Sequence, residues 1–327
     1  MTISRRSLIA GLGALPAASL VARSAHAAYP DRPITLVVPF AAGGNADIVG
    51  RLIGQEIGVA LKQPVVVENR AGAGGGVGAR AVAKAEPDGY TLLVGSNGPL
   101  TINPLVQANP GYDPATDFAP VALTSYVPHV LVLANSVPAK TVAELVALSK
   151  QGPVNIATSG VGSATHMSLE RLKAATSAGI THVPYRSGGA LMPDVMSGAI
   201  QGAMTEFSTA MELHTGGKAR IVALAAAKRS ALAPDILTFI ESGVKDFTAQ
   251  SFVGILAPAK TPPAIVDQLQ AAIAAGLASG TAPERLRALG SEIATAEQAT
   301  SKGFAAFIKA DAENMREAAR LAGITPQ

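Results

Sequence analysis

The chain has no cysteine and no tryptophan among its 327 residues. Without cysteine there are no disulfides, no thiolate to hold a metal and no thiol to carry a lipid anchor. Without tryptophan, and with aromatic residues at only 4%, intrinsic fluorescence is a poor reporter of any motion. No apolar stretch after Val21 is long enough to span a bilayer, and no basic patch or polybasic run argues for nucleic acid or a membrane surface.

What is present begins at the N-terminus. Arg5-Arg6 precedes an apolar run from Leu8 to Val21, and Ala25-His26-Ala27 closes it with small residues. A positive head, a short apolar middle and an A-x-A end describe a secretory signal peptide over residues 1–27. The run is about 14 residues, short of the ~20 a spanning helix needs. The arginine pair resembles a twin-arginine signal; ordinary Sec export is the alternative, since Leu8 stands where phenylalanine is usual. The segment carries three arginines and no acid, so 26 basic residues less three leaves 23 against 23 acidic ones. The mature chain from Ala28 is therefore formally neutral and is expected to work in the periplasm. Its 300 residues, 327 less 27, suffice for a well-buried core and two domains.

Short β-rich runs alternate with helical patterns: Ile34–Pro39, Pro64–Val67, Tyr90–Val94, Val154–Ala157, Thr181–Val183, Gly202–Thr205 and Arg220–Ala225 read as strands. Strands separated by helices predict an α/β fold with parallel strand pairing. Two longer apolar stretches interrupt the rhythm, Ala119–Ala134, broken by Pro128, and Phe247–Ala257. Each could be a strand shared by two lobes. On that basis residues 28–125 and 251–327 are expected to form lobe one and 126–250 lobe two.

Glycine-rich turns follow strands at Phe40–Asp47, Gly95–Gly98, Ser159–His166 and Tyr185–Ala190. Ligands of open α/β sheets sit beyond the strand carboxyl ends, where helix N-termini offer N–H groups to anions. Gly74-Gly75-Gly76-Val77-Gly78-Ala79 fits G-x-G-x-x-A, but no acid stands at the distance a dinucleotide site requires. Gly160-Val161-Gly162-Ser163 with His166 faintly echoes a nucleophile turn. Ser163 fits a helix cap better. The histidines show no metal-ligand spacing. Asp47, in a first helical turn, suits the dipole there. An acid would repel a ligand carboxylate, so direct contact fits only an amino group or a bridging water.

Taken together, several segments resemble the Bug-type receptors of tripartite tricarboxylate transporters. They include Tyr29-Pro30-Asp31-Arg32-Pro33-Ile34, Val38-Pro39-Phe40-Ala41-Ala42-Gly43-Gly44 with Asp47, Val67-Glu68-Asn69-Arg70 with the glycines after it, and Pro87-Asp88-Gly89-Tyr90. Ser159-Gly160-Val161-Gly162-Ser163, His182-Val183-Pro184-Tyr185 and Ala257-Pro258 follow in the family's order.

The resemblance implies a two-lobe, type II periplasmic-binding-protein-like fold that takes a small carboxylate in the cleft and delivers it to integral-membrane permease subunits. Tricarboxylates, dicarboxylates, acidic amino acids and aromatic acids all fall within the class. It implies a monomer without cofactor, catalysis or nucleic acid. Carried over by position, the site residues are Phe40, Ala42, Gly43, Gly44, Asp47, Ser96 and Asn97 in lobe one, and Ser159, Gly162, Ser163, Tyr185, Arg186 and Ser187 in lobe two. Ala46, Arg186-Ser187, Gln201 and Phe252 depart from the family's usual residues. Arg186 could fork onto a second carboxylate or stand solvated at the surface. Two other readings remain: an exported α/β hydrolase using Ser163 and His166, and a receptor serving a sensor protein rather than a permease.

Overall fold

The computed structural model describes residues 29–321; the export signal expected over 1–27 lies outside them. The chain opens β1 (Ile34–Val38), α1 (Asn45–Leu61), β2 (Val65–Asn69), α2 (Gly76–Ala83) and β3 (Thr91–Gly95). A π-helical turn (Gly98–Ile102) then enters the short α3 (Asn103–Val106). After the long β4 (Phe118–Ala134) come α4 (Val142–Ser149), β5 (Val154–Thr158), α5 (Ala164–Thr176), β6 (Ile180–Pro184), α6 (Gly188–Ser197), β7 (Gly202–Glu206), α7 (Phe207–Thr215) and β8 (Ala219–Leu224). The chain ends through β9 (Gln250–Pro258), α8 (Pro263–Ser279), α9 (Ala282–Ala288), β10 (Glu292–Ile293) and α10 (Ser301–Leu321).

The expected parallel pairing holds only inside each half of the sheet. β2, β1 and β3 are parallel, as are β6, β5 and β7. β9 joins β3 antiparallel, and β4 joins β9, β7 and β8 antiparallel. The result is one mixed sheet that changes partners along β4. Residues up to Pro128 of β4 pair with β9, and residues from His129 pair with β7 and, from Val130, β8. Pro128 does not break the strand. It stands at the change of partners, where the N–H it lacks costs least.

Each half has its own apolar packing. Leu131, Leu133, Ile156, Leu169, Leu191, Val195, Met204 and Phe207 lie in one buried cluster. On the other side β9 is buried on both faces: Val253 and Ile255 pack with α1 and α8 residues, while Phe252 and Leu256 pack with Leu123 and Phe304. That is the period-2 alternation of a central strand. α10 runs from the second of these regions to the first. Its Ala319 joins Met167 of α5 with Ile102 and Val106 in a fourth cluster.

Helix starts are set by short side chains. Thr141 accepts from the Glu144 N–H while the Glu144 carboxylate accepts from Lys140 N–H, a reciprocal cap on α4. Ser163 and Ser187 cap α5 and α6 in the same way, accepting from His166 and Ala190.

Candidate functional site

Four helices, α1, α5, α6 and α7, begin at a single narrow cavity of about 30 Å³ between the two halves of the sheet. Their first residues or caps, Gly44, Ser163, Ser187 and Glu206, stand in its wall. Helix N-termini carry unpaired N–H groups and the positive end of the helix dipole, so their convergence favours an anion. The wall also carries Phe40, Ser96, Ser159 and Ser251. The Oγ atoms of Ser96 and Ser159 are buried without a hydrogen-bond partner. Two orphaned hydroxyls on one cavity are donors left for a ligand, because buried polar groups are otherwise paired.

One lip of the cleft is almost entirely backbone. Gly43 adopts φ +80°, the left-handed conformation glycine tolerates. The loop is held from behind by Asp47, whose carboxylate accepts from Gly43 N–H at 3.0 Å, from Arg51 at 2.9 and 3.0 Å and from Asn69 at 2.9 Å. Asn69 also donates to the Phe40 carbonyl. Burial alone would raise the Asp47 pKa; the bonds from Arg51, Gly43 and Asn69 outweigh it and hold the carboxyl below its usual range. Asp47 therefore orders the turn from the side away from the cavity.

The facing lip approaches closely. Ala41 N–H donates to the Arg186 carbonyl at 3.2 Å, and Ser208 Oγ donates to Asn45 Oδ1 at 3.0 Å. A Cβ on Gly189 would lie 2.5 Å from the carbonyl carbon of Gly43, closer than real Cβ atoms come. Where the lips part, Phe40, Ser159, Tyr185 and Arg186 line a second space of about 250 Å³ with the glycines 72, 74 and 75.

Of the residues the sequence singles out, Phe40, Gly44, Ser96, Ser159, Ser163 and Ser187 line the inner cavity. Tyr185 and Arg186 stand at its mouth. Arg186 is exposed there, and the Tyr185 hydroxyl donates to Asp194, which pushes its pKa up to about 12. Four others are placed differently. Ala42 is exposed. Asp47 clamps the loop. The Asn97 side chain is spent on Phe252 N–H and on Asp311. Gly162, at φ +79°, turns toward Asn103, so a Cβ there would meet the Asn103 Oδ1.

The sequence reading missed Glu206. It ends β7, stands at the N-cap position of α7 without a side-chain cap bond, is buried in the cavity wall, and accepts from Ser251 Oγ at 3.1 Å and Thr205 Oγ1 at 3.3 Å. Desolvation raises its pKa, against the lowering effect of its own backbone N–H and those two hydroxyls. Behind Ser251 lies His129, with Nε2 at 2.8 Å from Ser251 Oγ and Nδ1 at 2.7 Å from Ser168 Oγ. Ser251 gives its single proton to Glu206, so His129 Nε2–H donates to Ser251 and Nδ1 accepts from Ser168. Burial first, then Arg171, lowers the His129 pKa to about 3, so the ring is neutral, as that chain requires.

The hydrolase reading does not survive the geometry. Ser163 Oγ accepts from the His166 backbone N–H and touches Thr165 Oγ1. The His166 ring faces away from it, accepting from Gly162 N–H through Nδ1 and stacking on His182 at 4.2 Å between centroids. No serine–imidazole bond forms there. His166, Glu170 and His182 do come together, with one ligand-type atom of each within 4.8 Å, a cluster hidden from sequence by the 15 residues between the histidines. Glu170 is committed to Lys173 at 2.8 Å, and that ammonium opposes a further cation.

Residues 49–318 match the tripartite tricarboxylate transporter family receptor. Protein BugT of Bordetella pertussis is 33% identical over 303 residues, which cover 91% of this chain and 93% of that protein. The structure of R. palustris Rpa4515 with adipate superposes with a TM-score of 0.87 at 34% identity, covering 91% of this chain and all of the other. MatC from Rhodopseudomonas palustris with bound malate gives 0.85 at 31% identity, covering 89% and 99%. The matched fold is that of periplasmic binding proteins. The chain thus belongs to the tripartite tricarboxylate transporter receptor family, as a periplasmic solute-binding protein.

Proposed function

We propose that this protein clasps one small carboxylate in the cavity between lobe one, residues 28–125 and 251–327, and lobe two, residues 126–250. The carboxylate sits on the N–H groups that open α1, α5 and α6. It accepts from Ser96 and Ser159, with Ser163 and Ser187 holding two of those helix starts in place. Phe40, Gly43 and Gly44 form the lobe-one lip, and Tyr185 and Arg186 gate the mouth. The pair of orphaned buried hydroxyls, Ser96 and Ser159, carries this reading. Contacts with both lobes favour the closed state, with the strand change at Pro128–His129 and the return at Gln250 as the hinge. The closed form docks on integral-membrane permease subunits, and Asp47 and Gly162 keep the two glycine turns in shape. The relatives solved with adipate and malate support the ligand class.

The test is thermal unfolding of residues 28–327, stripped of co-purified ligand, against citrate, C4 and C6 diacids, acidic amino acids, nicotinate and benzoate-type acids. A ligand at 100 times its Kd adds about 2.7 kcal/mol, a shift of several degrees for a chain this size. A saturable shift with one or two acids, abolished in the Ser96→Ala, Ser159→Ala double variant, is expected. A flat panel sinks the reading.

A further inference from the structure

Glu206 is out of place in a cradle for an anion. Ser96, Ser159, Ser163 and Ser187 bring hydroxyl donors to the cavity wall, and the helix starts bring N–H groups. Glu206 brings a buried acceptor, and no lysine or arginine lines the same cavity among the described residues. A carboxylate offers about four acceptor positions; Ser251, Thr205 and the residue's own backbone N–H take three and leave one open. The Oε2 side faces space kept open by Gly188: a Cβ there would lie 3.1 Å from Oε2 and 2.8 Å from Thr205 Oγ1. Gly188 also lines the cavity.

A buried carboxylate without a cation is costly unless its remaining positions are filled. A donor on the ligand fills what is left. An unsubstituted acid would add a second anion and leave the acceptor unmet. An acid with a hydroxyl or ammonium beside its carboxylate would meet both halves of the cavity at once. The neutral His129 keeps the arrangement in register, since its Nε2–H fixes Ser251 as the donor to Oε1.

We propose that Glu206 is a specificity-determining residue that selects carboxylates bearing a hydrogen-bond donor next to the carboxylate, 2-hydroxy and 2-amino acids over the unsubstituted chain. This rests on the carboxylate reading above. The hydroxyl and the ammonium share the donor chemistry. The ammonium also cancels the charge of Glu206, so amino acids rank first.

The experiment is calorimetric titration of residues 28–327 at pH 7 with two matched series. One is succinate, malate and aspartate; the other is adipate, 2-hydroxyadipate and 2-aminoadipate. The donor-bearing members of at least one series should bind about tenfold or more tighter than the plain diacid, the scale of a buried polar group left unpaired. In Glu206→Gln the amide offers a donor of its own, and the preference should fall to within about threefold as the plain diacid gains. Equal binding of all members by the native protein overturns the inference and leaves the carboxylate reading standing. So does a preference that is unchanged in Glu206→Gln. If neither series nor the wider acid panel binds, both readings fall. The native comparison stands even if the variant does not fold.

Discussion

The two lips of the cleft solve one problem by different means. The lobe-one lip offers backbone, and the carboxylate that shapes it, Asp47, is turned away from the cavity. The lobe-two lip offers side chains at helix starts, Ser163, Ser187 and Glu206, pointed into it. A backbone cradle takes any carboxylate, because it presents N–H groups and nothing that distinguishes what lies beyond them. Side chains carry the chemistry that tells ligands apart. On the proposed division, lobe one contributes chiefly generic affinity, with Ser96 as its side-chain donor, and lobe two the discrimination; the histidines fall on the same side. His129, His166, His182 and His214, all the histidines among the described residues, fall between 126 and 250.

That division gives the largest expected effect. His129 has its pKa lowered to about 3 and His182 to about 4, by burial first in both. A histidine kept neutral in the fold contributes its full stability above its unfolded pKa near 6.5. That contribution is lost as pH falls toward the folded value, because only the unfolded chain takes the proton. At pH 5 His129 alone should cost about 2 kcal/mol relative to pH 7.5, at 1.4 kcal/mol per pH unit, with His182 acting in the same direction. Glu206, whose folded pKa is raised, works against this trend by easing its own burial cost on protonation. Urea unfolding at the two pH values measures the sum, and hydrogen exchange at pH 5 should show lobe two opening first. Equal loss of protection in both lobes breaks the comparison.

Next in size is Asp47→Ala. It strips the Gly43 N–H, Arg51 and Asn69 of their shared acceptor, a loss of about 2 kcal/mol for charge-assisted bonds. The lobe-one turn should loosen and affinity fall for every acid by a similar factor. A change in the ranking of ligands would contradict the assignment of discrimination to lobe two. Asp47→Asn, which keeps an acceptor for one donor, should recover part of the loss.

The sequence made the fold legible because each lobe repeats strand, glycine turn and helix, and each turn residue has a local reason to be there. Ser163 is visible as a cap for the same reason. Glu206 is not. It sits where a strand runs straight into a helix with no glycine between, so no turn marks it, and it reads as an ordinary acid at a helix start. Its partner Ser251 is 45 residues away, and Ser251 stands 122 residues from His129. Asn97 shows the converse. Its place beside Ser96 made it a candidate, yet Asp311 and Phe252, from elements more than 150 residues downstream, claim its side chain. The seat of β9 between β3 and β4, with α10 packed behind, brings such residues together.

The smallest effect on stability is also the sharpest probe of how the lips meet. Gly189 lies in the first turn of α6 without a left-handed φ, so alanine suits its backbone and should raise helix propensity by up to ~1 kcal/mol. The added Cβ would meet the Gly43 carbonyl across the apposed lips, and the proposed hinge parts those lips in the free protein. Gly189→Ala should therefore leave the melting temperature of the free protein unchanged or slightly higher, while weakening carboxylate binding about tenfold. Stability and affinity moving in opposite directions separates closure from folding. If both fell together, the Gly43–Gly189 approach would be part of the folded core rather than a contact made by a closing clamp.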